Sequence, residues 1–482
     1  LVKKSNDNSE ILKKLNELFN NIDNNCEVTG IKINSKDVKK GDIFVCTMGV
    51  TTDRHDFIDE AIENGACAVV VSKDVGEKAV PIIKVDDTNS YLRELCSKYY
   101  DYPYEKMEMI GVTGTNGKTT VAEIIYQLLG DDCAYLGTNG RKWKNKSLPM
   151  RNTTPDVDRL YMYLDEFVND KCKIAVMEAS SEAFFRHRLD DIKYHIAILT
   201  NITEDHLNIH KTLENYIDCK CQLFRQVSED GYSILNSMDV NYERVLQNSK
   251  GTVLTYGMNG NDTLYIKNYE EQGNKMKITF RYNNQDYTVL SPLLGEFNVF
   301  NLAPAILTCL AKGINIDEVL KRVENLNQIE GRLEVLPFTD KYMIMLDYAH
   351  TTDALDKILT YLDKIKKNRI ITVTGSAGGR EKEKRPSMGK VVLEKSDYVI
   401  FTMDDPREED VNQIIDDLVS ESNLTNYERI IDRKEAIYKA LSMAEEDDIV
   451  FITGKGRDNY MALGKEYLPY SDYEVIKSYF TN

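Results

Sequence analysis

Proline is scarce in this chain, 10 of 482 residues, and tryptophan occurs once. No apolar run approaches the ~20 residues that a membrane-spanning helix needs, which argues against a helical membrane protein. The polar start Leu1-Val-Lys-Lys-Ser does not read as a secretory signal. No long Lys/Arg cluster relieves a formal net charge of -17, so no sequence-independent nucleic-acid or anionic-membrane surface is expected. The 9 cysteines, scattered from Cys26 to Cys309, contain no CxxC pair, and only Cys219 and Cys221 are close. Neither a disulfide ladder nor a zinc site is indicated, and a cytoplasmic protein in a reducing cytosol is expected. Low-complexity segments and fixed-period repeats are missing too. What is present, 42% hydrophobic and 29% charged residues, is enough for about three domains of ordinary size.

One stretch organises the rest: Gly111-Val-Thr-Gly114-Thr115-Asn116-Gly117-Lys118-Thr119-Thr120. The apolar run Met107-Glu-Met109-Ile110 precedes it, and Val121, Ile124, Ile125, Leu128 and Leu129 follow at helical spacing up to Gly130. This reads as strand, tight loop, helix. Such a loop turns backbone N–H groups and a helix N-terminus toward an anion, Lys118 can reach terminal phosphates, and the Thr119 hydroxyl can sit on Mg²⁺. The generic pattern wants glycine where this chain has Val112, so the loop is a variant whose glycines fall every third residue. The alternative is a Gly-rich turn with an accidental Gly-Lys-Thr.

Before this loop, the helical spacing of Ile11, Leu12, Leu15 and Leu18, the turn and strand Gly41–Val45, a helix around Ala61, Ile62 and Ala66, and the strand Ala68–Val71 suggest a small α/β domain. Asn34-Ser35-Lys36 and His55-Asp56-Phe57 are read as solvated turns, with binding of something polar as the alternative. After the loop, Asn152-Thr153-Thr154-Pro155-Asp156 is a polar turn ahead of a helix. The strand Lys173–Met177 ends at Glu178, with Ser180 and Ser181 beyond; a carboxylate at the carboxyl end of an apolar strand is a usual Mg²⁺ ligand, a structural salt bridge the alternative. A second strand, His195–Leu199, runs into Asn201-Ile-Thr-Glu-Asp205-His206, with His210 four residues on and no further ligand spaced for zinc. Next comes a helix with an apolar stripe of Leu213, Tyr216, Ile217, Cys221 and Phe224, and Lys220 lies inside it. Burial would favour the neutral amine, available as a nucleophile or to take up CO₂; the alternative is that the side chain snorkels to water.

The order Gly-Thr-Asn-Gly-Lys-Thr-Thr, Met-Glu-Ala-Ser-Ser, Thr-Asn-Ile-Thr-Glu-Asp-His and Glu-Asn-Tyr-x3-Lys resembles the Mur ligases, ATP-dependent amide-forming enzymes of peptidoglycan synthesis, over nearly the whole chain. Within them it is most similar to the muramyl-tripeptide synthetases, the MurE type. The resemblance implies that the lysine matching Lys220 is carbamylated and helps hold a second Mg²⁺ with the residue matching His206. Thr119 and Glu178 match residues of the first Mg²⁺, so Lys118, Glu178, His206 and Lys220 form the expected catalytic set. Gly114 to Thr120 would bind ATP with Asn298 and Asn301 near adenine, Arg332 of Gly331-Arg332-Leu-Glu334 at the phosphates, and Asp347 at the ribose. A helix-capping role is the alternative for Asn298. Ser35, Thr153, Thr154, Ser180 and Arg188 match residues around the UDP-muramoyl substrate, although Asn34-Ser35-Lys36 replaces the family's Asp-Ser-Arg and Glu182 its usual histidine after Ser180-Ser181.

Thr252 to Leu290 alternates as a β-rich insert. Beyond it, strand-like runs ending in polar residues recur at Met343, Ile370, Val399 and Ile449, with helical segments such as 354–365 between, which reads as a doubly wound parallel sheet. In the family this domain binds the incoming amino acid. Lys384-Arg385-Pro386, Asp404-Asp405-Pro406-Arg407 and Gly454-Lys-Gly-Arg457-Asp458 match its motifs, the last two departing from Asp-Asn-Pro-Arg and Gly-Lys-Gly-His-Glu. Arg407 favours a distal carboxylate, as in diaminopimelate, and Asp405 a distal ammonium, which lysine also carries. The expected architecture is α/β in three domains: 1–105 for the UDP sugar, 106–335 a central P-loop ATPase with a parallel sheet, and 336–482 a Rossmann-like amino-acid domain. The expected activity is ADP-forming addition of a diamino acid, meso-diaminopimelate ahead of L-lysine, to UDP-N-acetylmuramoyl-L-alanyl-D-glutamate, by a monomer using ATP and two Mg²⁺. A polyglutamate or cyanophycin-type ligase, a non-catalytic binder of the muramyl nucleotide, and a nucleotide-dependent switch are the rivals.

Overall fold

The structure, a computed structural model, describes residues 13–19, 22, 24–49, 52–150, 152–205 and 207–481. Ile11, Leu12 and His206, all used above, lie outside the described residues. Two compact units divide the chain, one of residues up to 122, 129–235 and 239–254, the other of 123–128, 236–238 and 255–482.

The first unit opens with a four-stranded parallel sheet in the order Gly30–Lys32, Asp42–Val45, Ala68–Val71, Ile82–Lys84. Asp42–Val45 and Ala68–Val71 are buried along their whole length, as strands covered on both faces are, and so Ile43–Val45 and Ala68–Val71 read as unbroken apolar runs. Two expectations hold only in part here, since Lys36, Asp56 and Phe57 are exposed as solvated turns require but one residue of each turn is not. Ser35 and His55 are buried rather than solvated: the Ser35 hydroxyl donates to Glu60, and the His55 ring bonds Asp53 through Nδ1 at 2.6 Å while Nε2 accepts the Ser72 N–H at 3.0 Å. Polar turn residues are withdrawn from water where neighbouring side chains satisfy them, a pairing no local pattern reveals.

The same unit holds the phosphate-loop sheet. Parallel strands run Cys133–Gly137, Ile174–Glu178, Glu108–Thr113, Tyr194–Leu199, Val227–Asn236, with the antiparallel hairpin Gly140–Trp143 and Lys146–Leu148 beyond Cys133–Gly137. Gly111 belongs to strand Glu108–Thr113 rather than to the loop. A Cβ there would lie 2.5 Å from Leu223 Cδ1, so the residue lets helix Leu213–Arg225 pack close to the strand. That accounts for the third glycine of the variant loop.

In the second unit, Leu264–Gln272, Lys275–Tyr282 and Gln285–Ser291 form the expected β-rich insert as an antiparallel meander. A six-stranded sheet follows in the order Glu334–Val335, Met343–Asp347, Ile449–Thr453, Ile370–Thr374, Tyr398–Phe401, Tyr427–Arg429, parallel except at its first edge. Chain order reverses within it, and the loops gathered at the carboxyl ends of its strands are where ligands of such sheets bind. All 9 cysteines are free thiols. No helix among the described residues is long and apolar enough to cross a membrane.

Candidate active site

Strand Glu108–Thr113 gives way to a turn with Gly114 at φ +149° and Gly117 at φ +86°, and helix Lys118–Leu129 begins at the lysine. A side chain at Gly114 would collide with Thr200 Oγ1, so the turn can lie against strand Tyr194–Leu199 only as glycine. Asn201 accepts from Asn116 N through Oδ1 at 3.0 Å and donates back to Asn116 O through Nδ2 at 3.1 Å. Thr115 N donates to Asn201 O at 2.7 Å, and Thr200 Oγ1 to Asn116 O at 2.6 Å. The loop is thus fixed by the segment that follows the neighbouring strand. Asn201 had no assigned role in the sequence reading, although it stands in the quoted Thr-Asn-Ile-Thr run.

Lys118 Nζ donates to Gly114 O and Thr115 O, both at 3.0 Å. Thr119 Oγ1 donates to Glu178 Oε2 at 2.9 Å. The other Glu178 oxygen accepts from Tyr135 Oη at 2.9 Å and Thr138 N at 2.8 Å. No Lys or Arg pairs with Glu178 among the described residues, so the salt-bridge alternative fails there. Thr138 Oγ1 lies 3.1 Å from Thr153 Oγ1, and Thr154 Oγ1 lies 2.7 Å from Glu178 O and 3.1 Å from Ser180 Oγ. Arg188 donates to Thr154 O at 3.2 Å and pairs with Asp156 at 2.8 Å. One hydrogen-bonded line therefore joins phosphate loop, carboxylate and the polar turn 153–156. Thr138 and Tyr135 were missed, because the strand Cys133–Gly137 carries no spacing that ties its end to Glu178.

Lys220 does not snorkel. It is 1% exposed, its Nζ donates to Gly114 O at 2.7 Å, and it lies 4.3 Å from the Tyr216 ring centroid. Burial, and then the nearby Lys118 charge, hold its ammonium well below the usual lysine range, so neutral amine is favoured. Tyr216, Ile217, Cys221 and Phe224 are buried as the stripe requires, but Leu213, at the first turn of the helix, is exposed. His210 Nε2 lies 3.0 Å from Ser181 Oγ, and burial followed by the Lys220 charge lowers the imidazole pKa.

Among the described residues no three His, Cys, Asp or Glu side chains gather into a metal-holding set. The Thr119 hydroxyl and Glu178 carboxylate are hard oxygen donors within hydrogen-bond reach of each other, which fits Mg²⁺, an ion that keeps waters and phosphate oxygens as its remaining ligands.

Within the second unit, Asn301 Nδ2 donates to Asn298 Oδ1 at 3.0 Å, and Asn298 Nδ2 to Leu294 O at 2.7 Å. Gly295, not Asn298, caps helix Glu296–Ala311, so the capping alternative fails. Asp347 is buried with its two oxygens accepting from Leu333 N and Ala349 N, each at 2.6 Å, and burial raises its pKa. The Arg332 guanidinium lies 4.7 Å from the Tyr348 ring centroid. Arg385 is wholly buried between Glu409 and Asp417, at 3.0 and 2.8 Å. Lys455, to which the sequence assigned nothing, sits between Asp405 at 2.8 Å and Asp458 at 3.1 Å. Asp405 Oδ1 also accepts Ala462 N at 2.9 Å. A side chain at Gly454 would collide with Asp404, and Arg407 donates to Gly378 O.

Comparison with known proteins places these features in context. Residues 27–100 match the model described as Mur ligase family, catalytic domain; 112–309 match the Mur ligase middle domain; and 331–456 match the Mur ligase, glutamate ligase domain. A Bacillus cereus protein named UDP-N-acetylmuramoyl-L-alanyl-D-glutamate–2,6-diaminopimelate ligase is 35% identical over 466 residues, covering 95% of each chain. A protein of the same name from Aquifex aeolicus is 37% identical over 456 residues, covering 93% of each. A solved structure titled as that ligase superposes with a TM-score of 0.66 at 28% identity, covering 98% of this chain and 99% of the other.

Proposed function

This chain belongs to the Mur ligase family of ATP-dependent amide-forming enzymes, and on that premise we propose that it adds meso-diaminopimelate to UDP-N-acetylmuramoyl-L-alanyl-D-glutamate. The observation that carries the reading is the line Thr119–Glu178–Thr138–Thr153, continued through Glu178 O to Thr154, Ser180 and Arg188, which puts the proposed anchors of the muramyl substrate next to the phosphate loop. A substrate carboxylate held by that turn would stand beside Glu178, which bonds the phosphate-loop Thr119.

In the proposed reaction the carboxylate oxygen of the D-glutamyl residue attacks the γ-phosphorus, the bond to the bridging oxygen breaks, and ADP leaves. The amine nitrogen of the diamino acid then attacks the acyl carbon; phosphate leaves and the nitrogen loses a proton. Lys118 and the N–H groups opening helix Lys118–Leu129 balance phosphate charge and hold the groups in line. Bound Mg²⁺ supplies further neutralisation of the phosphoryl oxygens. Thr119 and Glu178 are proposed to hold the first ion, and His206 with Lys220 the second. The neutral Lys220 amine fits carbamylation, in which its nitrogen bonds the carbon of CO₂ and one proton leaves, turning a buried neutral amine into a carboxylate-like ligand.

For the third residue, Asp405 carries less weight than its charge suggests. Lys455 and Ala462 N occupy its Oδ1, which leaves Arg407 and its match to a distal carboxylate as the stronger cue. The proposal places Gly114–Thr120, Asn298, Asn301, Arg332 and Asp347 on ATP, and Arg385, Asp404, Asp405, Arg407, Gly454 and Asp458 on the amino-acid side. The three-domain division at 105 and 335 belongs to the same proposal, as does action as a cytoplasmic monomer. Titration calorimetry with UDP-muramoyl-dipeptide tests the reading: wild type binds and Arg188→Ala binds at least about 10-fold more weakly, since a half-buried charged contact is lost. No binding by wild type would favour a polyglutamate or cyanophycin-type ligase or a nucleotide switch.

A further inference from the structure

The motif Gly454-Lys-Gly-Arg457-Asp458 carries arginine where the resembled pattern has histidine, and that arginine has a specific partner. Arg457 Nε donates to Glu334 Oε2 at 2.9 Å, and its NH2 donates to Glu334 Oε1, a two-pronged ion pair across 123 residues of sequence. A histidine cannot present two parallel N–H groups to one carboxylate, whereas guanidinium does so by its planar fork. The pair is largely shielded, with side chains 23% and 10% exposed, and the guanidinium stacks 3.7 Å from the Tyr473 ring centroid.

Glu334 is itself bound to the turn it closes. Its Oε2 accepts Gly331 N at 2.7 Å, so one carboxylate holds both the turn Gly331–Glu334 and the loop Gly454–Asp458. Tyr348 completes the connection. Its N–H donates to Gly331 O at 3.0 Å, and its ring fills the space where a side chain at either Gly331 or Gly456 would stand. Gly331 at φ +66° and Gly456 at φ +51° press on the ring, and Arg332 lies over it. Thr453 Oγ1 donates to Ala349 O at 2.6 Å and Gly454 N to Asp347 O at 3.1 Å, which ties the loop to the end of strand Met343–Asp347.

We infer that Arg457 and Glu334 are a positioning pair for the ligase reaction: they lock the loop carrying Lys455 and Asp458 to the turn carrying Arg332, so that the amino-acid and nucleotide contacts of this domain are set as one piece. Neither side chain needs to touch substrate. The inference rests on the ligase reading for its catalytic consequence, while the lock itself is a physical claim that stands apart from turnover.

The test is a double-mutant cycle on the full chain with Arg457→Ala, Arg457→Lys, Glu334→Gln and the double variant Arg457→Ala/Glu334→Gln. A sub-ångström displacement of the loop predicts a KM for the diamino acid raised about 10-fold or more in Arg457→Ala, with KM for UDP-muramoyl-dipeptide within about 2-fold of wild type. Arg457→Lys, which keeps charge but loses the fork, falls between, and the double variant is no worse than the worse single one. A merely structural role predicts instead a lowered Tm with unchanged KM values, and that outcome overturns the proposal, as does strict additivity. Amide hydrogen exchange reads the lock without turnover. In Arg457→Lys and Glu334→Gln, residues 331–334 and 454–458 exchange faster together, while strand Ile370–Thr374 keeps its protection. Wild-type exchange of 331–334 in both variants overturns the proposal whatever the activity. Absence of any amino-acid-stimulated phosphate release by wild type would sink the ligase reading and leave the exchange result standing.

Discussion

Lys118 and Lys220 converge on one acceptor, the carbonyl of Gly114, at 3.0 and 2.7 Å. Burial first, and repulsion by the neighbouring Lys118 ammonium second, disfavour the charge on Lys220, which is why it is the lysine poised to lose it. Lys118 then remains the cation for phosphate. Lys220→Ala is expected to keep the fold and cut turnover by roughly 100-fold, the scale of losing a group that orients or holds a metal, and a short carboxylic acid added in solution should restore part of it. Near-normal turnover in Lys220→Ala would remove the assigned role.

Gly111 sets how near the Lys220 helix can come. With Cβ placed 2.5 Å from Leu223 Cδ1 and 2.9 Å from Tyr194 Cε1, Gly111→Ala displaces the Leu223 side chain, the Tyr194 ring or the helix Leu213–Arg225 that carries Leu223. Overpacking of this kind costs about 1–3 kcal/mol. Urea unfolding should show that loss together with reduced turnover; unchanged stability would mean the helix yields freely and the close approach is not needed.

Asp158 provides the pH test. It is buried in the first turn of helix Val157–Asn169, and burial, then the Asp156 charge, raise its pKa to about 6 from 3.8, against smaller opposing contributions from Arg159 and Lys32. The folded state binds this proton more tightly than the unfolded chain. The penalty is therefore absent below pH 3.8, grows between 3.8 and 6, and is complete above pH 6, on the order of 3 kcal/mol for a shift of that size. Asp158→Asn should stabilise the protein at pH 8 and much less at pH 4. A stability difference of equal size at both pH values would contradict this account.

Arg433 and Asp472 are both fully buried and paired at 2.8 Å, and Arg433 also donates to Thr453 O at 2.9 Å and Met403 O at 3.2 Å. Asp472→Ala leaves that guanidinium without its carboxylate and is expected to cost about 3–5 kcal/mol, read as a lowered urea midpoint. A loss under about 1 kcal/mol would mean that water or another acceptor replaces the carboxylate.

What could be read from the sequence follows the range of the interaction. Lys118, Thr119 and the helix they open are announced by glycine spacing and by an apolar period within 20 residues, and Lys220 by standing in a stripe where a charge does not belong. Glu178 was recognisable from its place at the end of an apolar strand. Thr138, Asn201, Lys455 and the Glu334–Arg457 pair were not, because each acquires its role from a partner far along the chain that only the fold brings near. Ser35 and His55 were misread for the same reason, since polarity alone does not tell a solvated turn from a satisfied buried one.

Phosphate release by the purified chain with ATP, Mg²⁺ and UDP-muramoyl-dipeptide, adding meso-diaminopimelate, L-lysine and other diamino acids one at a time, tests the central claim most directly. The account predicts release that depends on the muramyl nucleotide and is stimulated by diaminopimelate well above lysine, with ADP and the tripeptide nucleotide formed in equal amounts. ATP hydrolysis indifferent to the muramyl nucleotide, with no amino acid stimulating it, would contradict the account.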